Sequence, residues 1–353
     1  MEFRMTYLLD MSQLQQGDIV LEDGETKCIS SAIKKITKSK YSHAMIYVGG
    51  TLIHAVAKGG VFSKNPQRIL RSSESSFKVL RLKDTLLELN LALVCDNARA
   101  KVGSIYSIAE AGKAILPNND KTTKKQFCSR LVAQSYNEAG VKIVDDPCFC
   151  TPEDINRSPL LEEVKSCVRQ ATQADLDMAA KIDPNLENQE ETLKWLRLAR
   201  KQLKSEGIEV QTINDVAEHL SKDNTWDKRI CKHIESTKYL QLYNVDRKLN
   251  TYRYCEKEFS AKVESEVNMS DFFNFEFNLN RGEIERHGKN LMIAQNNYRN
   301  SKLKYCKLHV KLYRNILKEN ECRLKIIRNY KALEPSIGVA VNEYLNRVSS
   351  LLK

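Results

Sequence analysis

The chain is short of the features that mark membrane-spanning, secreted and nucleic-acid-binding proteins. No window of 18 residues is uniformly apolar, so no transmembrane helix is expected. The N-terminal stretch is too acidic, and its apolar part too short, for a secretory signal peptide. The ten cysteines show no spacing typical of a disulfide framework. We expect a cytoplasmic protein, or one secreted by a route that reads no signal peptide.

Nucleic acid is not an expected partner, because basic residues are not grouped with aromatic ones in any known module. The net charge of +11 is shared between two parts of the chain. Residues 1–160 contain 22 Lys/Arg against 17 Asp/Glu, and the rest contains 34 against 28. A solvated surface with no electrostatic partner is the more ordinary interpretation of such a charge. The alternative is that it favours an anionic polymer or a membrane surface as partner.

Glycine and proline are unevenly distributed, and their positions indicate two domains. Three of the seven prolines lie in residues 145–159, and only four of the thirteen glycines lie beyond Leu160. A chain of 353 residues is long enough for about two domains. We predict an α+β domain over residues 1–159 and an all-α helical bundle over residues 160–353.

A β-hairpin with two histidines is predicted in YSHAMIYVGGTLIHAV, which begins at Tyr41. Gly49 and Gly50 form a strong two-residue turn signal between two apolar, β-branched runs. With that turn, Met45 faces His54 across the hairpin, and alternate side chains share one face. The residues of that face are His43, Met45, Tyr47, Leu52, His54 and Val56. A structural role for either histidine alone is the alternative.

A cysteine at a helix start is predicted in FCSRLVAQSYNEA, where apolar residues recur at helical spacing and Gly140 ends the helix. Cys128 then lies at the helix N-terminus, where backbone N–H groups and the helix dipole favour a thiolate. Its own amide would point toward a developing oxyanion. A cysteine with a histidine base is the minimum for thiol catalysis. The alternative is that Cys128 only packs.

Four segments together resemble the circularly permuted NlpC/p60 hydrolases: GDIV, SHAMIYVGGTLIHA, VGSIYSIAEAG and FCSRLVAQSYNEAG. This papain-like group includes YiiX/YebB-type proteins and relatives of lecithin:retinol acyltransferase. The resemblance covers roughly residues 14–155, and the order of histidine before cysteine indicates the permuted branch.

The resemblance implies a permuted papain-like fold and assigns roles to individual residues. Cys128 matches the nucleophile, His43 the general base, and His54 the third polar position that orients the base. Tyr47 and Tyr41 are candidates for oxyanion binding or substrate positioning. No cofactor or metal is expected, and a metal or redox role for Cys148 and Cys150 is the less favoured reading.

These observations predict a cysteine hydrolase that cleaves an amide bond, in a peptidoglycan peptide or a similar substrate, through a thioacyl-enzyme. A delivered bacterial effector fits the same pattern. The first alternative is a lipid acyl hydrolase or acyltransferase, and the second is a non-catalytic interaction protein with a decayed hydrolase domain. The helical domain would bind a protein partner or substrate, lie on a membrane, or simply cover the hydrolase.

Other elements follow from periodicity and turn signals. In the first domain they are a strand at Gly17–Glu22, a helix at Thr26–Thr37, a strand at Phe77–Leu82, a helix at Thr85–Lys101 and a polar flap at Leu116–Lys125. In the second domain they are helices at Glu187–Ser205, Asn214–Lys222 and Trp226–Phe259. Leu291, Tyr298, Tyr305 and Leu312 recur every seven residues, which predicts an antiparallel helical bundle or hairpin.

Overall fold

The computed structural model describes residues 5–23, 40–83, 88–107, 110–111, 125–181, 183–266 and 268–353. The chain divides into two compact units, residues 1–189 with 208–214 and residues 190–207 with 215–353. Within the described ranges no helix is both long and apolar enough to cross a bilayer. The predicted helix at Thr26–Thr37 lies outside these ranges, as does the predicted flap except for Lys125.

The first unit is built on an antiparallel sheet of six strands in the order β5-β4-β3-β2-β6-β7. A separate pair, β1 and β8, is also antiparallel. The strands are β1 (Tyr7–Leu9), β2 (Ile19–Glu22), β3 (His43–Tyr47), β4 (Leu52–Val56), β5 (Gly60–Lys64), β6 (Phe77–Leu82), β7 (Leu161–Glu163) and β8 (Val168–Gln170).

The hairpin of β3 and β4 has the predicted register. Met45 pairs with His54, and the Val48 N–H donates to the Thr51 carbonyl at 2.9 Å. Gly49 and Gly50 have φ values of 84° and 81°, the left-handed conformation that a type I′ turn requires at both positions. This two-residue turn puts both histidines on the same side of the hairpin.

The two faces of the sheet bury different clusters. Ala44 and Ile46 of β3 pack with two helices, α1 (Glu88–Ala100) and α2 (Cys128–Asn137). Met45 and Tyr47 belong to a second apolar cluster on the other face, together with Leu9, Leu14, Val20, Leu52 and Ile69. Alternation along β3 therefore puts α2 on the face opposite to Met45 and Tyr47.

The first unit continues beyond the predicted boundary at residue 159. Strand β7 pairs with β6, and β8 pairs with β1, so residues 161–170 add to the same sheets. Two short helices accompany them, α3 (Pro152–Asn156) and α4 (Gln173–Ala180). Strands β7 and β8 have only three residues each, which is too short to show alternation in the sequence. The prolines of residues 145–159 were therefore the stronger signal for a domain boundary.

The second unit is helical. Its helices are α5 (Pro184–Lys204, which begins in the first unit), α6 (Ile213–Lys222, likewise), α7 (Asp227–Glu235), α8 (Asp246–Leu249), α9 (Glu256–Glu264), α10 (Met269–Ser301), α11 (Lys304–Arg328) and α12 (Pro335–Leu352). The predicted run Trp226–Phe259 is thus a series of short helices. Helices α10 and α11 pack together as a hairpin, joined where Lys302 adopts the left-handed conformation (φ 56°).

Gly60 is fixed by close backbone contact at the start of β5. The Val61 N–H donates to the Ser104 carbonyl at 2.9 Å, and the Gly103 N–H donates to the Val61 carbonyl at 2.8 Å. Gly60 has φ 83°, and a Cβ there would lie 2.1 Å from the Ser104 oxygen. Only glycine allows this approach.

We expect Gly60→Ala to lower the free energy of unfolding by about 2–5 kcal/mol, from positive φ plus the backbone clash. Gly140→Ala is the matched control, because Gly140 has φ 85° but, apart from its chain neighbours, no atom of the described residues lies within 4 Å of its Cβ position. That variant should lose only about 1–2 kcal/mol. Urea unfolding measures both values, and equal losses would contradict the proposed clash.

Candidate active site

Cys128 is the first residue of α2, after Phe127 in extended conformation (φ −139°, ψ 168°). The side chain is 5% exposed. Burial raises the pKa of the Cys128 thiol, although backbone N–H groups of Ala44, Ser129 and Cys128 itself, all facing the sulfur, act in the opposite direction. The group is therefore a neutral thiol at neutral pH, and it needs a base to become a nucleophile.

The two predicted histidines form a direct pair. Nε2 of His43 lies 3.0 Å from Nδ1 of His54, with the ring planes at 72°. The His54 ring also makes a T-shaped contact with Phe62 at 4.5 Å between centroids. Nε2 of His54 is buried, and no described residue forms a hydrogen bond with it. The hairpin register thus joins the two imidazoles as predicted.

Both imidazoles are uncharged at neutral pH. Burial, with a smaller effect of the nearby Lys64 ammonium, lowers the pKa of His43 to about 4. Burial lowers the pKa of His54 well below its ordinary value, and charge on His43 or Lys64 would lower it further. A neutral imidazole has a free lone pair, which is the state that a general base requires.

Cys128 and His43 lie on neighbouring elements. Helix α2 packs against β3, and the Cys128 sulfur faces the N–H of Ala44, the residue after His43. In the described part of the chain, the ring of His43 is hydrogen-bonded to His54 and not to the sulfur. The sulfur approaches the start of β3, where His43 lies, but α2 packs on the Ala44 face, whereas alternation places the His43 side chain on the Met45 face.

The structure does not bring Tyr47 to this site. Tyr47 ends β3, four residues from His43, and its hydroxyl accepts a hydrogen bond from the Gly50 N–H at 2.8 Å. Its ring packs in the cluster of Met45 and Leu52. Tyr47 therefore stabilises the turn, and the sequence could not separate this role from oxyanion binding.

Tyr41 precedes β3 and is half-buried. Its ring packs against the core of the first unit, and burial, with Glu163 and Glu153 nearby, raises the pKa of its hydroxyl. Tyr41 is two residues from His43, so it is nearer to the site in sequence than Tyr47 is. Its role in positioning substrate stays a prediction.

Tyr106 lies beside the cysteine and received no role from the sequence. It forms a parallel β-bridge with Gln126, where the Ser107 N–H donates to the Gln126 carbonyl at 2.8 Å. Because Phe127 is extended, Cys128 follows Gln126 on the same side of the segment. Burial and the nearby Cys128 raise the pKa of the Tyr106 hydroxyl, which therefore stays a proton donor.

Arg130 organises the backbone around the start of α2. Its guanidinium is fully buried and donates to Glu110 at 2.8 Å, to the Cys148 carbonyl at 2.7 Å and to the Lys125 carbonyl at 3.0 Å. Its flat face lies 4.5 Å from the centre of the Phe127 ring. This one side chain joins the segment before Cys128 to the loop that follows the helix.

The Cys148 and Cys150 pair is part of that loop. The Cys150 carbonyl accepts from the Ser129 hydroxyl at 2.6 Å, so both cysteines hold the loop through their carbonyl groups. Among the described residues, no group of three or more His, Cys, Asp or Glu side chains is placed to hold a metal ion.

Comparison with known protein families covers the same region. Residues 13–151 match the family described as permuted papain-like amidase enzyme, YaeF/YiiX, C92 family. The first unit contains a permuted papain-like domain. This papain-like domain includes Cys128, His43 and His54, and the α+β fold with a helical C-terminal region is confirmed. The match supports an amidase-type hydrolase at the level of the family, without distinguishing the NlpC/p60 or acyltransferase branches. No curated protein matches the chain significantly.

The buried histidines make the stability of the papain-like domain depend on pH. In the unfolded chain His43 gains a proton near pH 6.5, and in the fold only near pH 4. The unfolded state therefore binds more protons between these values, so stability falls as pH falls through this window. We expect His43 alone to contribute a loss of about 3 kcal/mol.

Urea unfolding at pH 7, 5.5 and 4 measures this loss. His43→Gln should reduce the slope, with the remainder due partly to His54. An unaltered slope in His43→Gln would contradict the burial of a neutral His43.

Proposed function

We propose that this protein hydrolyses an amide bond of a peptide substrate, such as a peptidoglycan peptide, with Cys128 as nucleophile and His43 as base. The proposal is carried by the amidase family match over the segment that places Cys128 at a helix N-terminus and joins His43 to His54. The description of the matched family as an amidase supports an amide as the bond that is cleaved. Cleavage of peptidoglycan peptides is also consistent with the predicted delivered effector.

The hydrogen bond between the histidines determines which nitrogen can act as base. Nε2 of His43 is joined to His54, so Nδ1 is the atom left to take the thiol proton. Nδ1 has a lone pair only if the His43 proton is on Nε2 and donated to Nδ1 of His54. The His54 proton is then on its unpaired Nε2, beside the Phe62 ring. His54 thus holds the required tautomer and stabilises the imidazolium that forms.

The reaction then follows two steps. His43 takes the Cys128 proton, and the thiolate attacks the carbonyl carbon. The C–N bond breaks, the leaving amine takes the proton from His43, and a thioester to Cys128 remains. His43 next takes a proton from water, the hydroxide attacks the thioester, and the carboxylic acid leaves as the Cys128 thiol is restored. This mechanism requires the His43 ring to reach the sulfur when substrate binds, and catalytic hydrogen bonds are often long or poorly aligned in free enzymes.

In the free protein at neutral pH, Cys128 is a neutral thiol and His43 a neutral imidazole, so they do not form a thiolate–imidazolium ion pair. Alkylation of Cys128 by iodoacetamide should therefore be slow at neutral pH and should rise with pH through the raised pKa of the thiol. Activity toward substrate should persist below pH 6.5, because His43 remains neutral down to about pH 4.

The decisive experiment incubates the protein with purified muropeptides and, separately, with phospholipid vesicles. We expect a new amine and carboxylate from the muropeptides. Cys128→Ala should lose at least about 10³-fold in rate, and His43→Ala about 10²–10⁴-fold. Cys95→Ala, which removes a buried thiol of α1, is the control and should keep activity. Release of fatty acid alone would favour the lipid hydrolase, and no product from either would contradict catalysis.

Tyr106 is proposed as the second oxyanion donor, beside the Cys128 amide. Tyr106→Phe should lower kcat by about 10²-fold with KM little changed, since a donor that acts only in the transition state is removed. Tyr47→Phe removes a hydroxyl that binds the turn, so its kcat should stay close to that of the unmodified protein. Equal kcat in the two variants would contradict the role of Tyr106.

A further inference from the structure

One helix carries the net charge of the C-terminal part of the chain. Helix α11 contains eight Lys/Arg and two Asp/Glu, a net charge of +6. Residues 161–303 and 329–353 together contain 26 of each sign. The charge is therefore concentrated, although the totals for the two parts of the chain make it look evenly spread.

Seven of the eight cations of α11 lie on one face of the helix, and the eighth, Arg323, is buried. Lysines recur every seven residues from Lys304 to Lys325, and a second row three residues after the first is basic except at Glu321. Both rows lie opposite the buried residues that pack in the bundle, such as Leu312 and Ile327. The basic face consists of Lys304, Lys307, Lys311, Arg314, Lys318, Lys325 and Arg328; Arg314 is half-buried and the others are exposed. It is about 36 Å long at 1.5 Å per residue.

Few carboxylates neutralise the basic face. Lys304 pairs with Glu235 at 2.7 Å, and Lys325 pairs with Glu321 at 2.7 Å. In the described ranges, no carboxylate lies within ion-pair distance of the other exposed cations, which are Lys307, Lys311, Lys318 and Arg328. A row of like charges destabilises a helix, because neighbours at i, i+4 repel. An anionic partner would relieve that repulsion.

We propose that the basic face of α11 binds the surface of a bilayer rich in anionic phospholipid. Four to eight Lys/Arg on one face of an amphipathic helix are typical of proteins that bind such a surface. Each cation near the surface is attracted to the anionic lipid and adds to the affinity. Lysine, the commoner cation here, is a flexible point charge that adapts to mobile headgroups. Neither tyrosine of the helix is exposed, so the face offers no ring on which a nucleotide base could stack. This proposal does not depend on the hydrolase chemistry.

Co-sedimentation of the full chain with vesicles tests the proposal. We expect binding to vesicles of phosphatidylglycerol and phosphatidylcholine but not to phosphatidylcholine alone, with affinity falling as salt rises. The variant K307Q/K311Q/K318Q/R328Q should bind at least about tenfold more weakly. The control K201Q/K228Q/K257Q/K331Q removes four exposed cations from other helices and loops of the same unit, and it should bind within about twofold of the unmodified protein.

Circular dichroism verifies that both variants keep their helical content. Equal binding of the α11 variant and the unmodified protein would overturn the proposal, and so would equal losses in the two variants. Binding to duplex DNA without binding to anionic vesicles would assign the face to a polyanion and also overturn it. Binding by Cys128→Ala should equal that of the unmodified protein, which separates this result from the hydrolase assay.

Discussion

Removal of water is the constraint on which the candidate site depends. Cys128 and His54 are buried. Burial is the largest influence on the pKa values of Cys128, His43 and His54. In water a thiol and an imidazole differ by about two pKa units. In this fold burial raises the pKa of the thiol and lowers that of the imidazole, so the neutral pair is favoured.

The surrounding structure keeps this buried site in register. The two-residue turn at Gly49 and Gly50 determines that His43 and His54 share a face, and one residue more would separate them. Arg130 holds the chain before and after α2 through a guanidinium that has no exposure to solvent. Burying that charge is costly unless it is paired, and Glu110 provides the paired carboxylate. The position of Cys128 thus depends on the buried ion pair of Arg130 and Glu110.

The two units differ in how they distribute charge. The papain-like domain has separate ion pairs, such as Arg130 with Glu110 and Arg81 with Asp18, whose carboxylate accepts two hydrogen bonds from Arg81 at 2.7 Å. The helical unit has a buried network in which Arg253 binds Asp246 and Glu276. It leaves an unbalanced row of cations on α11. Charges that are paired inside contribute to a unique packing, whereas unpaired charges outside are available to a partner.

Local patterns in the sequence determined the elements that carry the proposed nucleophile and base. The glycine pair, the alternation around it and the helical spacing after Cys128 predicted the hairpin and α2, and Phe77–Leu82 was found as a strand with those bounds. The resemblance added the roles of Cys128 and His43, which stay predictions. These signals are readable because turn chemistry and side-chain periodicity act over a few neighbouring residues.

Only the tertiary structure decided which distant side chains meet. Tyr106 lies near Cys128 because it forms a β-bridge with Gln126, 20 residues further along the chain. Tyr47 is only four residues from His43, but its hydroxyl binds the Gly50 N–H of the turn. Strands β7 and β8 extend the first unit because their partners lie far away along the chain. The sequence shows the lysines and arginines of α11, but only the packing of the bundle decides that the side of the helix that carries them is exposed. Such contacts depend on chain topology, which no local period encodes.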